Sequence, residues 1–495
     1  MARTRHQAAT IGFVFSTGEC GVAALSADGK QAYAGTPMDG KAVWRGWPSH
    51  YLQHVPEMMS RVLSELQGKG WSFDRPGYLS QSWRQHDLAI VDKHNTPLLP
   101  ALSWECNGAK RETRILNREV AGLRETVGRI EDRFVASKLP WALSQLPTLK
   151  RTVHQVMLSG DWVAGMLTDN WALGASDAVC NGLLDQRTKE LASSVLKRAG
   201  THLDGRLSPR WFPPVIRSDA VVGRVRSSSE PSWNALTRLL KGWRVVTTLG
   251  DNHATAAGCG AADYETVVLS LGTSGTVNRV CPLTAKLSGK ASQFEYWDDR
   301  LLLMMLAKCA AWYNLFKHAY EPTRSYAELN DLGQAAPFEK IRLVSPPPES
   351  ANQPDDYCDP QLAKMNSAVR TASVQFSIAH QMLRLTKQML REVRPPATVP
   401  RRFVLTGGLA QAPLIRATLA TGLRMMQPHA EVMLSNRTGA LAYKTDALGA
   451  LYNAMAAAER KPVQQVIAAH RKLKRCPSVD ARLEKGLKPL LVSLT

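Results

Sequence analysis

The chain opens on a β-type run, Ala9 to Phe15, broken by the polar stretch Ser16-Thr17-Gly18-Glu19. Gly21 to Leu25 resumes the run before a turn at Asp28-Gly29. This reads as strand, tight polar loop, strand. The same plan returns far along the chain. Val267 to Leu271 and Thr276 to Val280 are strand candidates around Gly272 to Ser274, with Thr17 and Thr273 in matching places. A long-range repeat of this kind predicts two related domains that face each other, each handing one loop to a shared cleft.

Between the two hairpins, strand and helix patterns alternate. Tyr51, Val55, Met58, Met59, Val62 and Leu66 have helical spacing, and Pro56 puts the regular start of that helix near itself. Leu88 to Val91 reads as a strand, Gly108 to Gly128 as a charged helix, and Val153 to Met166 as a helix. Leu203 to Ser218 is Pro-rich loop, Trp233 to Leu240 a helix, and Gly242 a natural boundary. Beyond it, Leu301 to Phe316 and Asn366 to Glu392 read as helices, with a Pro-rich loop from Ser345 to Tyr357 between them. Pro395 to Pro400 breaks the second. Arg402 to Leu405 is a strand running into Thr406-Gly407-Gly408, and helices follow at Leu414 to Met426 and Thr445 to Ala457. Leu434 to Arg437 reads as loop.

Size and composition narrow the class. A chain of 495 residues is too long for one ordinary core. Its most apolar uncharged run, near Leu301 to Ala307, is far short of the roughly 20 residues a membrane-spanning helix needs. No cleavage site follows the basic start MARTRHQ, so a cytoplasmic protein is expected. The 8 cysteines form no CxxC pair and no zinc spacing, which predicts reduced thiols without a structural metal. The net charge of +20 suits a nucleic acid or an anionic small substrate. Part of it sits between Arg460 and Lys488, where only Asp480 and Glu484 oppose the Lys and Arg residues. No aromatic residue interleaves there, so a solvated basic helix or tail is the plainer reading and a nucleic-acid partner is not expected.

Two short stretches carry candidate chemistry. Gly250-Asp251-Asn252-His253 sets an acid at the end of an apolar run, where it can take a proton from a hydroxyl or cap a helix beginning at Asn252. Leu271-Gly272-Thr273-Ser274-Gly275-Thr276 offers backbone N–H groups and hydroxyls to a phosphate, or makes an ordinary hairpin turn. Together they suggest phosphoryl transfer.

Five stretches in order resemble the FGGY carbohydrate kinases, in particular the xylulokinase-like branch. They are Lys138 to Leu143 (KLPWAL), Met157 to Asp185, Gly250-Asp251-Asn252, Ser270 to Val277 (SLGTSGTV), and Thr406 to Leu414 (TGGLAQAPL) with Asp446 to Ala450 beyond it. The resemblance runs from about Ile11 to Met455 and implies an α/β fold of two duplicated ribonuclease-H-like domains of the actin and sugar-kinase superfamily around a central cleft. The implied domains are 1–243, mainly for sugar, 244–457, mainly for ATP, and a basic extension over 458–495. The implied activity is ATP-dependent phosphorylation of a ketose, with ATP and Mg²⁺ as cofactors and a small sugar as partner. No membrane is implied, and a homodimer fits the picture.

The resemblance makes Asp251 the general base, and Gln85, His86, Asp251 and Asn252 the sugar-binding residues. Thr17, Gly272, Thr273, Ser274, Gly407 and Gly408 would bind ATP, with Gln411 and Asn436 nearby. The chain departs from the family at three places. Trp83 and Arg84 change the sugar segment, and Trp104-Glu105-Cys106-Asn107 lacks the usual acid and arginine in register. Val14 and Ser16 stand where the family has the acid and glycine of its first loop, and Glu19 lies elsewhere on the turn. That acid helps to hold magnesium, so Mg²⁺ would be held mainly through ATP, with no protein ligands of its own. The same departure supports an alternative, a weakly active or non-catalytic sugar- or nucleotide-binding protein.

Overall fold

Contacts in the computed structural model divide the chain into two units that do not follow chain order. The structure describes residues 6–348, 351, 353, 356–357, 359–394, 398–437 and 439–494. Cys358, Pro395 and Pro396, and the basic start through Arg5 lie outside the described residues. One unit holds Met1–Gly258, Gln293–Arg300 and Lys444–His470, and the other Cys259–Ser292, Leu301–Tyr443 and Arg471–Thr495. The expected domains are continuous in sequence, whereas these units interleave, and residues after 457 are shared between them.

In the first unit the central strands are buried along most of their length, Tyr78–Trp83 even at Ser80, Gln81 and Ser82. Val221–Arg224, Arg244–Val246, Tyr78–Trp83, His6–Phe15, Glu19–Ser26 and Gln31–Pro37 lie side by side in that order. His6–Phe15 runs antiparallel to Glu19–Ser26, which is the predicted first hairpin. It runs parallel to Tyr78–Trp83, with Phe15 beside Trp83. The short strand Leu249–Gly250 is also parallel to Tyr78–Trp83 and puts Gly250 beside the same Trp83. Three strands therefore end level, and the loops at Ser16, Arg84 and Asp251 leave the sheet together. Small residues let helices close over them. A Cβ on Gly12 would lie 2.4 Å from Leu451 N. One on Gly449 would lie 1.9 Å from Ala254 O. The helices Asp251–Gly258 and Thr445–Glu459 thus pack backbone to backbone.

The second unit repeats the hairpin. Thr266–Leu271 turns back as Gly275–Cys281, and Arg402–Thr406 and Glu431–Ser435 continue the sheet in parallel. The helix Ser367–Glu392, capped by the Asn366 side chain on Val369 N at 2.9 Å, and the helix Pro413–Met426 supply much of the core beside it.

Four expectations need correction. Asp299–Leu306 is a strand, and the helix begins only at Ala310. Gln155–Leu158 is a strand paired with Leu88–Val91, and the helix is Ser159–Thr168. A wholly buried apolar run has no period that separates strand from helix, so pairing decides. Leu434-Ser435 ends a strand instead of opening a loop. The basic segment holds the helices Val463–His470 and Ala481–Leu491 but is not merely solvated: Leu473–Arg475 pairs antiparallel with Glu431–Ser435, and Leu487 and Leu491 are fully buried.

Candidate active site

The strand Leu249–Gly250 ends and a helix starts at Asp251, which places its carboxylate where the three level loops of the first unit meet. Asp251 Oδ1 accepts from Asn252 N at 2.8 Å and from Asn252 Nδ2 at 3.1 Å. The same Nδ2 donates to Gln85 Oε1 at 2.8 Å. Gln85 Nε2 in turn donates to His253 Nδ1 at 3.1 Å, while His253 Nε2–H donates to the carbonyl of Glu295. That carbonyl can only accept, so it fixes the histidine tautomer. A continuous chain of hydrogen bonds thus links the Glu295 carbonyl to the Asp251 carboxylate, with Asn252 Nδ2 donating in both directions.

Electrostatics suit the same residues to proton transfer. Burial, with like charge from Asp446 and Asp87, pushes the Asp251 carboxyl up to about 7. Burial holds His253 neutral, its pKa down to about 4. A carboxylate that titrates near neutrality is poised to act as a general base.

The Arg84–Asp87 loop is held by its own buried network. Asp87 Oδ2 accepts from Trp83 Nε1 at 3.0 Å and Arg84 Nε at 2.9 Å, and Oδ1 accepts from Trp104 N at 3.1 Å. Arg84 also reaches His50. Lys138 donates to the carbonyls of His86 and Ser103, at 2.5 and 2.8 Å, and burial brings its pKa down to about 8. The lysine of the KLPWAL segment is therefore a tie between loops. His86 has a left-handed backbone, with φ of 73°. Its ring stacks on Phe134 at 4.9 Å and Nδ1 meets Asn181 Oδ1 at 3.3 Å. Gln85, Asn252 and Asp251 are thus brought into one network, and His86 turns to other partners. Thr17 is exposed on the first loop, where its hydroxyl accepts from Trp104 Nε1 at 3.3 Å.

The phosphate-type loop lies in the second unit. Its carbonyls point to a helix N-terminus: Ala310 N donates to Gly272 O at 2.8 Å, and Cys309 N and Ala311 N donate to Thr273 O at 3.0 and 3.2 Å. Thr273 is exposed, and Gly275 is packed so tightly that a Cβ would lie 2.6 Å from Met382 Sδ. Gly407, at φ of 90°, lies against the same loop, since a Cβ there would come 2.6 Å from the Leu271 carbonyl carbon. A Cβ on Gly408 would meet nothing within 4 Å. A cavity of about 100 Å³ continues from Gly407, lined by Gln411, Ser435, Arg437, Tyr443 and Lys474 among others. The structure thus brings Gly272, Thr273, Ser274 and Gly407 together. Asn436 does not line that cavity.

Sequence reading missed His253 as the buried link behind Gln85, Glu295 as its anchor, and Lys474 in the cavity. Only His253 carried a signal, its place in the Asp251-Asn252-His253 run. Among the described residues no group of three His, Cys, Asp or Glu side chains could hold a metal ion. Val14 is buried within its strand.

The family model for the N-terminal domain of the FGGY family of carbohydrate kinases matches residues 26–258. The xylulose kinase of Streptomyces rubiginosus is 31% identical over 201 residues, 40% of this chain and 39% of that protein. The xylulose kinase of Lactococcus lactis is 24% identical over 362 residues, 72% of this chain and 68% of that one. The first of these alignments spans about two fifths of the relative's length. The solved structure of ligand-bound xylulose kinase from Lactobacillus acidophilus shares the fold, with a TM-score of 0.79 over 99% of this chain and 97% of that one at 14% identity. Residues 26–258 match the N-terminal domain model of the FGGY family of carbohydrate kinases, and the chain shares the fold of that solved xylulose kinase along nearly its whole length.

Proposed function

We propose that the protein is an ATP-dependent kinase of a ketose, with a xylulose-like pentulose as acceptor. The observation that carries this reading is Asp251, an acid brought up to about 7 at the carboxyl ends of parallel strands and held by Gln85 and Asn252. The sugar hydroxyl donates to Asp251. As its oxygen attacks the γ-phosphorus, the proton passes to the carboxylate and the bond from phosphorus to the ADP oxygen breaks. Gln85 and Asn252 hold the carboxylate in line, and the Arg84–Asp87 loop shapes the sugar side. The Gly272–Ser274 loop offers N–H groups and hydroxyls to the nucleotide phosphates, with the Gly407-Gly408 turn and its cavity taking the nucleoside. Thr17 of the first loop adds a hydroxyl to the phosphates.

Val14 puts an apolar side chain where a metal-organising acid is expected, and among the described residues no group of three His, Cys, Asp or Glu side chains is placed to hold a metal ion. The metal is proposed to arrive on the ATP phosphates. Among the described residues no helix is long and apolar enough to cross a membrane. The described cysteines are buried, as small apolar side chains are, and a cytoplasmic location is proposed.

The test is a coupled ATP-consumption assay across pentuloses, heptuloses and polyols. Turnover with a ketose, lost in Asp251→Ala, is the expected result. Binding of nucleotide without turnover of any sugar overturns the kinase reading.

A further inference from the structure

Beside the first hairpin loop, three side chains form an arrangement that the reaction above does not use. Glu19 ends the loop. Its Oε1 accepts from the Tyr33 hydroxyl, and its Oε2 pairs with Lys444 Nζ. The ammonium also lies 5.8 Å from the centre of the Tyr33 ring. The backbone makes room for this group. Gly21 and Gly35 face each other across adjacent strands. A Cβ on Gly21 would fall 2.0 Å from the Tyr33 hydroxyl, and one on Gly35 would fall 2.1 Å from Glu19 Oε1. Two opposed glycines thus cut a notch that holds a carboxylate and a phenol side by side.

Lys444 comes from the start of the helix Thr445–Glu459, two residues before Asp446. Its charge acts on the Asp446 carboxyl, and Asp446 in turn raises Asp251. The lysine therefore belongs to the charged group around the base. The side chains of Lys444 and Glu19 are 32% and 25% exposed, so the ammonium can leave its partner on a flexible stem. Glu19 would keep the Tyr33 hydrogen bond when it does. Next along the loop, a Cβ on Gly18 would meet nothing within 4 Å, and Thr17 is exposed.

We propose that Lys444 is a phosphate-binding residue of the first hairpin, held ready by the Glu19–Tyr33 notch and transferred from the Glu19 carboxylate to the terminal phosphate oxygens of a nucleoside triphosphate. A lysine is a compact point charge suited to a phosphate whose negative charge must be offset during transfer. The assignment rests on the kinase reading for the identity of the nucleotide, and its test does not depend on turnover.

The experiment measures binding of tripolyphosphate and of adenosine to the full chain by calorimetry at fixed ionic strength. Lys444→Met should weaken tripolyphosphate binding about tenfold, the scale of one charge-assisted hydrogen bond, and leave adenosine unchanged. Glu19→Gln keeps the shape of the notch and removes the competing charge, so it should tighten tripolyphosphate binding. Opposite signs separate this role from a structural ion pair, in which loss of either partner acts alike. Equal weakening by both variants, or no effect of Lys444→Met, overturns the proposal. If Lys444→Met does not fold, the sign of the Glu19→Gln effect decides alone. A chain that behaves as expected here yet phosphorylates no sugar would sink the kinase reading and leave the lysine assignment standing.

Discussion

The two hairpins share a plan and differ in what holds their loops. In the second, the carbonyls of Gly272 and Thr273 accept from the start of the helix Ala310–Tyr320, and Gly407 packs against the entering strand. Backbone groups hold that loop, so glycine and hydroxyl residues suffice. In the first, Ser16 N and Ser16 Oγ turn back on the Glu19 carbonyl, and the Glu19 side chain engages Tyr33 and Lys444. Side chains and charge hold this loop. The family model begins at residue 26, just after it. One strand–loop–strand plan thus tolerates two ways of handling charge, and the site beside it need not be inferred from the plan alone.

The largest expected effect tests whether proton transfer belongs to the first unit and phosphate holding to the second. Asp251→Asn should lower kcat by about 10²- to 10⁴-fold, the range for losing a general base, with ADP affinity unchanged. In the parent enzyme, kcat/KM should rise with pH through about 7, because the base must be ionised. A profile flat from pH 5 to 9 would place the proton acceptor elsewhere. The same shift has a stability sign. The folded state favours the protonated carboxyl, so its contribution is fully present below the ordinary value of 3.8, shrinks as pH rises, and is gone above about 7. Thermal melts of Asp251→Asn against the parent should therefore show a gain that opens above pH 4 and levels off past 7. Its size is roughly 1–3 kcal/mol, after allowing for the part of Asp251 that stays wet.

Next in size is Gly407→Ala. The new methyl group would meet the Leu271 carbonyl at 2.6 Å on a backbone with φ of 90°, so it should cost about 1–3 kcal/mol of stability. The second loop would shift with it, and ADP affinity should fall. Wild-type ADP affinity in a folded Gly407→Ala variant would show that the two turns are independent.

How much of this was legible depended on whether partners lie close in sequence. Asp251, Asn252 and the SLGTSGTV loop are local patterns that a short stretch of sequence displays by itself, whatever packs beside them in space. Gln85 was reached only through resemblance, and its link to His253 spans two distant loops that a shared strand end brings together. Glu295 offered no signal, because it lies in Gln293–Arg300, a short return of the chain to the first unit from within the second. The run Leu301 to Met305 has no polar position to set a period. The segment after 457 misled by its charge: Leu487 and Leu491 are one helical turn apart, but the lysines around them dominate the composition.

The smallest effect comes from a matched pair, Thr17→Ala and Thr273→Ala. Both hydroxyls occupy the same place in the hairpin plan, and both residues are exposed. They differ in what is already bound to them. Thr17 Oγ1 accepts from Trp104 Nε1 at 3.3 Å, a long contact between groups that water can replace, so its loss should cost under about 1 kcal/mol of stability. Its contribution to nucleotide binding is also shared, since Lys444 is proposed to carry the charge on that side. Thr273 lies in a loop whose carbonyls are already engaged, leaving its hydroxyl as a principal donor there. Thr273→Ala should therefore raise KM for ATP several-fold, about 1 kcal/mol, and Thr17→Ala by less than half of that energy. Equal effects would mean that the two loops treat the phosphates alike. A larger effect from Thr17→Ala would reverse the assignment and make the charged hairpin the principal phosphate holder.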